Sequence, residues 1–331
     1  MLSVDAASIA PDVREAVAAV APLPVPGRGD TSERHRRLAA LARHRSVSVA
    51  RLVEAHVDAL AILAEAGRDP HPGALYGVWA ARAGGTDAQL DLDRRWVTGT
   101  KVFCSGLGIA DRALVTADDR AGRQHLVELD LHRPSVRVHR DRWSTPALAA
   151  TCTGSVELDQ PVDAIVGAPG WYLRRPGFWH GACGPAACWA GAAVGLVDAA
   201  ERLVDDDPHR RAHVGAMRAA SWGLDALLDR AGSQIDAAPD DVLAAERRAR
   251  ALRHLVERMA TEVLDRFGRA FGPRPLTTDA AIAQRAADLH LYLRQDHGER
   301  DLAALGAMAE GVPPSWRGEK VVSCPPRGTS P

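Results

Sequence analysis

Residues 94–117 read RRWVTGTKVFCSGLGIADRALVTA, and how they are taken decides the fold. Short runs rich in β-branched residues lie on either side of Gly99, and a second glycine pair follows at Gly106 and Gly108. Trp96 and Phe103 are set within those runs. Runs of this kind, bounded by glycine, are strands joined by tight turns. The pattern extends to HLVELDL, SVRVHRD and GSVELDQ, so β structure is expected from about residue 75 to 170. HLVELDL alternates, with Leu126 and Glu128 directed to one face and Val127 to the other. Strands this short and evenly spaced predict a small barrel or sandwich.

Helical periodicity flanks the β region. Within residues 31–66, Leu52, His56, Leu60 and Leu63 recur at helix spacing, and Gly67, Pro70 and Pro72 end the segment. From residue 171 onward the helix pattern returns. Asp207 before Pro208 predicts an N-cap followed by a first-turn proline. Leu252, Leu255, Val256, Met259, Val263 and Phe267 predict one apolar stripe. A last long helix is expected from a Thr278 cap to Gly298. The expected organisation is α+β: an N-terminal helical region (residues 1–72), a β-barrel (73–169), a C-terminal four-helix bundle (170–310) and a flexible Pro- and Gly-rich tail (311–331).

Composition narrows the function classes. The 331 residues are 46% hydrophobic and 25% charged, as in soluble globular proteins, and a net charge of −1 offers no field for nucleic acid. Five cysteines without a C-x-x-C pair point to reduced thiols and a cytoplasmic setting, with Cys183 and Cys188 as small core residues. The N-terminus lacks the basic start and apolar core of a secretory signal. Residues 181–200 are nearly uncharged and long enough to span a membrane, but are built of Gly and Ala and carry Pro185 and Asp198. A packed, buried helix is expected instead, with Gly191 and Gly195 allowing close approach. His209 and His213 are one turn apart without a third ligand, so no metal is expected. GLG at residues 106–108 is no dinucleotide fingerprint, because Asp111 takes the third glycine position and no helix pattern follows.

Three stretches in order carry a resemblance: WAARAGGTDAQL, WVTGTKVFCSGLGIADRALVTA and VELDQPVDAIVGAPGWYL. Their order and spacing resemble the acyl-CoA dehydrogenase family from about His35 to Gly306. The resemblance implies a helical domain, a β-barrel and a helical bundle, and FAD as cofactor. It implies α,β-dehydrogenation of an acyl-CoA or acyl-carrier thioester, an electron-transfer partner, and a homo-oligomer or hetero-oligomer with a related chain. Phe103 matches an aromatic and Ser105 a hydroxyl residue beside the flavin, and Gly85 and Thr86 match a loop facing cofactor or thioester. Read without the resemblance, Phe103 is a core residue of the barrel. The small-residue helix at residues 181–195 would shape the acyl pocket.

The family removes a proton with a C-terminal carboxylate. Aligning Asp288 with the aspartate of the family's Arg-Asp pair places Asp296 at that position. Asp296 also falls one heptad after Leu289, on the stripe formed by Ile282, Leu289 and Leu293. A carboxylate ending an apolar stripe is desolvated, which makes it a stronger base. A structural role competes: pairing with Arg294 or Arg300, or capping the break at Gly298. His297 and Glu299 are the fallback bases.

Several positions depart from the family. The N-terminal helical region is short, and Ala80-Ala81-Arg82 replaces Thr-Glu-Pro. DDDPHRRAHVG stands where the family has an arginine for the flavin pyrophosphate, leaving Arg210 or Arg211 as substitutes. Asp296 is one methylene shorter than glutamate. The alternatives are a flavin-dependent monooxygenase on the same scaffold, with His290 or His297 important, and a catalytically degenerate subunit.

Overall fold

A computed structural model describes residues 6–82, 88–139 and 143–308. Three helices come first: α1 (Ala6–Val20), α2 (Thr31–His44) and α3 (Val47–Glu65). Eight strands follow: β1 (Tyr76–Trp79), β2 (Gln89–Asp91), β3 (Trp96–Cys104), β4 (Arg112–Asp119), β5 (Gln124–Asp130), β6 (Arg137–His139), β7 (Gly154–Pro161) and β8 (Ala164–Val166). A 3-10 turn, Ala149–Thr151, precedes β7. The C-terminal helices are α4 (Trp171–Arg174), α5 (Pro176–Gly181), α6 (Cys183–Leu203), α7 (Pro208–Ala237), α8 (Val242–Phe271), α9 (Arg274–Thr278), α10 (Ala280–Tyr292) and α11 (Glu299–Ala307).

Local chemistry sets the helix starts. The Ser46 side chain caps α3 by accepting the N–H of Val49, and Asp207 caps α7 at His209, with Pro208 in the first turn as expected. The last long helix differs from expectation. Asp279, whose carboxylate accepts the N–H groups of both Ala281 and Ile282, is its cap, and Thr278 ends α9 instead. The helix stops at Tyr292 in a 3-10 turn, Leu293–Gln295, short of Gly298.

The strands form one sheet in the order β6-β7-β3-β2-β4-β5-β8, with β1 parallel to β4. The expected barrel is not closed among the described residues. Its end strands, β6 and β8, are three residues each, and among the described residues they bond only to β7 and β5. The sheet also forks, because β1 and β2 take successive parts of the same edge of β4. β5 corrects a second expectation: its alternation suggested one wet face, yet all five inner residues are buried. One face packs with Tyr76, Leu114 and the α3 residues Ala59, Ile62 and Leu63, while Val127 and Leu129 join the core inside the sheet. Glu128 is buried because it has partners, Arg112 Nε and Tyr76 OH, each at 2.7 Å.

The long helices α6, α7 and α8 pack on one another, and α2 lies across α6 and α7. Glycine makes this crossing possible. A Cβ on Gly191 would strike the backbone of Ala39, and one on Gly232 would strike Ser32. The helical unit around α6 is therefore completed by a helix from the N-terminal region, and a four-helix bundle built from residues 170–310 alone does not describe it. One apolar core joins α1, α2 and α3 to α6, α7, α8 and α10. In the α8 stripe, Leu255 is the exception, lying exposed. The segment Pro176–Leu203 has the length and composition to cross a membrane, and its apolar window is 83% buried in this core.

Candidate functional site

Strand β3 does not end regularly. Lys101 pairs with Val156 and Cys104 with Gly154, so three steps on β3 face two on β7, which is a β-bulge. Phe103 sits in that bulge with φ 56°, a left-handed conformation costly for a bulky residue, and it is 65% exposed. It is not core, as the reading without the resemblance had it. Leu148 and Cys152 on the neighbouring turn are also left-handed, at φ 53° and 48°. Backbone strain gathered at one place needs surroundings that enforce it, and it clusters at functional sites.

Those surroundings are a hydrogen-bonded clamp. The N–H of Gly106 reaches the carbonyl of Thr151 at 2.8 Å, and Trp79 Nε1 donates to the carbonyl of Ser105 at 3.0 Å. The hydroxyls of Ser105, Thr153 and Thr151 form a chain with links of 2.9 and 2.7 Å. Its far end is the Leu148 carbonyl, to which Thr151 Oγ1 donates at 2.7 Å. A carbonyl only accepts and each hydroxyl has one proton, so the chain has one direction. Thr153 donates to Thr151 and Ser105 donates to Thr153. Ser105 Oγ therefore offers only lone pairs to anything outside.

Asp288 on α10 holds the same turn. Its buried carboxylate accepts the N–H of Leu148 at 2.6 Å, Gln284 Nε2 at 2.6 Å and Ser48 Oγ of α3 at 3.3 Å. Burial pushes its pKa up, against these three hydrogen bonds. The pattern from which Asp288 was read gave no sign of this role, because the partner lies 140 residues away. Gly85 and Thr86 lie outside the described residues.

Asp296 lies below α10, after the 3-10 turn. Its side chain is 7% exposed, but it follows the end of α10 in extended conformation and so does not continue the helical stripe; its Oδ2 accepts the N–H of Gly298 at 3.2 Å. Oδ1 is buried and 3.8 Å from Nε of Arg253, with no hydrogen-bond donor among the described residues. Arg253 belongs to α8, so the ion-pair partner is neither Arg294, which pairs with Glu257 at 2.6 Å, nor Arg300. The guanidinium of Arg253 also covers the Trp189 ring at 4.6 Å and donates to the carbonyls of Ala182 and Gln295. His297 pairs with Asp301 at 3.3 Å, and Glu299 is exposed in the first turn of α11.

The small-residue helix faces charge. Of the glycines in residues 181–195, Gly191 meets the Ala39 backbone and Gly195 the Arg285 guanidinium, while Gly181 and Gly184, together with Gly177 before them, meet carboxylates of α3 in antiparallel order. A Cβ on Gly184 would lie 2.6 Å from Glu54 Oε1 and one on Gly181 would lie 2.5 Å from Asp58 Oδ1, while one on Gly177 would strike Glu65. Arg51 pairs with Glu54 at 3.2 Å and lies 5.8 Å from the centre of the Tyr292 ring. The space beside these glycines is filled by a polar seam, not an apolar slot. Cys183 and Cys188 are buried in α6, and burial pushes the Cys183 thiol up to about 11. That keeps it a neutral core group.

No family model matches the chain, and no curated protein matches it. Solved structures do. The methanesulfinate monooxygenase MsuC of Pseudomonas fluorescens aligns with TM-score 0.72 at 19% identity, over 93% of this chain and 96% of that one. KijD3, in complex with FMN and dTDP-3-amino-2,3,6-trideoxy-4-keto-3-methyl-D-glucose, aligns with TM-score 0.76 at 15% identity, over 93% and 86%. FMN-bound TdsC of Paenibacillus sp. A11-2 aligns with TM-score 0.69 at 16% identity, over 91% and 96%. At such identities the likeness is one of fold. The chain shares with these structures a mixed α+β fold, with a sheet and a helical C-terminal region.

Proposed function

We propose that the protein is a flavin-dependent monooxygenase-type oxidoreductase with its flavin against Phe103 and Ser105. The observation that carries this reading is the Phe103 bulge: an exposed, strained aromatic ring beside a hydroxyl that can only accept. An exposed phenyl face suits a flat heteroaromatic ring. An acceptor-only hydroxyl suits the further ring N–H that a flavin gains when it is reduced. Bound in reduced form, a flavin supplies the electron pair with which one atom of O2 enters the substrate and the other leaves as water. The protein's part is to hold and shield. Phe103 keeps water from one ring face, and Ser105 orients the ring edge. The hydroxyl chain behind Ser105 ends on a carbonyl, so it fixes orientation and carries no proton away.

We favour FMN over FAD. Arg210 and Arg211, the substitutes for a pyrophosphate-binding arginine, are each paired within their own turn, to Asp205 and Asp206. The fold also occurs in FMN-bound form in TdsC and KijD3. A reductase supplying reduced flavin is the electron-transfer partner this chemistry needs, and the protein works as an oligomer of this chain or with a related one.

A second reading keeps the dehydrogenase. The buried Oδ1 of Asp296, ion-paired with Arg253 but without a hydrogen-bond donor among the described residues, favours it, since its lone pairs are open to a proton. The charged seam along Gly177, Gly181 and Gly184 speaks against an acyl chain at those glycines. One experiment separates the readings. The protein is loaded with FMN or FAD and passed through gel filtration, and flavin absorbance is followed anaerobically with butyryl-CoA. O2 uptake is then followed with reduced flavin and a panel of indole, methanesulfinate and amino-sugar nucleotides. Retained FMN with substrate-dependent O2 uptake and product supports the proposal. Bleaching by the thioester alone replaces it with the dehydrogenase, and failure to retain any flavin leaves the degenerate subunit.

A further inference from the structure

We infer that a cavity between α1, α3 and the loop leading into β1 binds a small aliphatic carboxylate, at a site separate from the Phe103 surface. The cavity measures about 310 Å3. Val17, Leu60, Pro70 and Leu75 give it an apolar wall. Its polar side chains are Arg14, His56 and His71, and no acid lines it among the described residues. The inference does not depend on the flavin reading. His56 is eight residues along α3 from Ser48, hence about 12 Å further along the helix than the contact with Asp288.

His56 supplies a donor. It is 5% exposed, and its Nδ1 accepts the backbone N–H of Tyr76 at 3.1 Å. Nδ1 therefore carries no proton, and in the neutral ring Nε2 does. Burial holds the pKa at about 4, so the ring is neutral at pH 7. The Nε2–H has no acceptor among the described residues, yet it is not one of the polar atoms sealed from solvent. The small part of the ring that solvent reaches thus includes this donor, and the cavity is the opening that the ring lines. An unmatched donor on a buried ring gains a full hydrogen bond when a ligand brings an acceptor.

Arg14 sets the charge of that acceptor. One of its terminal nitrogens bridges both oxygens of Asp111 at 2.9 Å, and the other lies 3.5 Å from the Gly73 carbonyl. Its Nε–H has no acceptor among the described residues. Asp111 itself stands outside the cavity wall, and its charge is further taken up by the Leu75 N–H at 2.7 Å and by His132 at 3.1 Å. The charge of Arg14 is felt at His56, where it adds to burial in lowering the pKa. An oxygen held between the two residues gains a hydrogen bond from His56 and a cation from Arg14. A carboxylate supplies that oxygen with its negative charge, and a short alkyl tail covers the wall of Val17, Leu60 and Pro70.

The test is calorimetric titration of the full-length protein with sodium hexanoate at pH 7.5 and constant ionic strength. Hexanol, with the tail but no charge, and acetate, with the charge but no tail, are the comparisons. Saturable binding of hexanoate is expected, at least tenfold tighter than either. His56→Phe, which keeps an aromatic ring and removes the donor, should weaken it at least fivefold, and so should Arg14→Gln. In protein carrying labelled histidine, the ring resonance that vanishes in His56→Phe should shift along the same binding curve. Phe103→Ala should bind hexanoate as the wild type does, whatever happens to flavin. Absence of saturable binding, hexanol binding as tightly as hexanoate, or wild-type affinity in a folded His56→Phe overturns the site. Should His56→Phe not fold, Arg14→Gln decides, its side chain being 48% exposed, and unchanged affinity in that variant overturns the site.

Discussion

The Asp288 carboxylate and the backbone N–H of Leu148 meet at 2.6 Å, joining α10 to the turn that anchors the Ser105 hydroxyl chain. Replacing Asp288 by alanine leaves that N–H, the Gln284 amide and Ser48 without their shared acceptor. An unsatisfied buried donor costs about 1–3 kcal/mol, so Asp288→Ala should lower stability by that order. It should also loosen the Leu148 turn, and with it flavin retention. Urea denaturation and a flavin fluorescence titration measure the two effects. A variant with wild-type stability would mean that water replaces the carboxylate.

Phe103 separates stability from binding. Its ring is 65% exposed, so Phe103→Ala should change stability by no more than about 0.5 kcal/mol. Loss of ring stacking, about 0.5–1.5 kcal/mol, should weaken flavin binding about two- to tenfold. Phe103→Gly should bind as poorly and yet be about 1 kcal/mol more stable than Phe103→Ala, because glycine accepts φ 56° freely. Thermal melts beside FMN titrations give both numbers. Equal melting of the two variants would contradict the strained backbone.

The direction of the hydroxyl chain is testable at its far end. In Thr151→Val, Thr153 loses its acceptor and Ser105 is free to reverse and donate outward. Flavin binding should survive, while the preference for reduced over oxidised flavin should fall, visible as a lowered reduction midpoint of the bound flavin. An unchanged midpoint would show that Ser105 does not face the ring N–H.

How much was legible beforehand varied with the range of the interaction. The Asp207 cap, which accepts the N–H of His209 across Pro208, involves neighbouring residues, and its position followed from the sequence pattern. The buried face of α10 was equally readable, since Ile282, Leu289 and Leu293 repeat at helical spacing. Leu126 and Val127 show the limit: strand alternation marks two faces but cannot tell that α3 covers one of them. The open sheet depends on β1 and β2 sharing β4, a long-range choice with no local mark. Arg253 was missed as the partner of Asp296 for the same reason, being 43 positions away on another helix. The acid–glycine pairing of α3 with α5 and α6 had a local signal on each side. Glu54, Asp58 and Glu65 share one helix face, and Gly177, Gly181 and Gly184 share another, but nothing in the chain paired the two.

Two buried groups on α3 should give opposite pH signatures. His56 accepts the N–H of Tyr76 on Nδ1 at 3.1 Å, and burial holds its pKa at about 4. Between that value and the unfolded value of about 6.5, the unfolded chain binds a proton that the folded chain refuses. The stability His56 contributes is therefore present above pH 6.5 and is lost as pH falls through about 4. Protonation would also set an N–H of His56 against that of Tyr76. Glu54 behaves in the reverse sense. Burial against Gly184 raises its pKa to about 7, so between about 4.5 and 7 the folded chain binds the extra proton. Its contribution grows as pH falls through that range and is level above it. Each effect is on the order of a few kcal/mol. Urea midpoints from pH 4 to 8 for the wild type, His56→Gln and Glu54→Gln separate them. The advantage of wild type over His56→Gln should shrink on acidification below 6.5, while its balance against Glu54→Gln should move in favour of wild type below 7. Parallel profiles for all three proteins would mean that neither side chain keeps its buried protonation state, and that the polar seam along α3 is open to water.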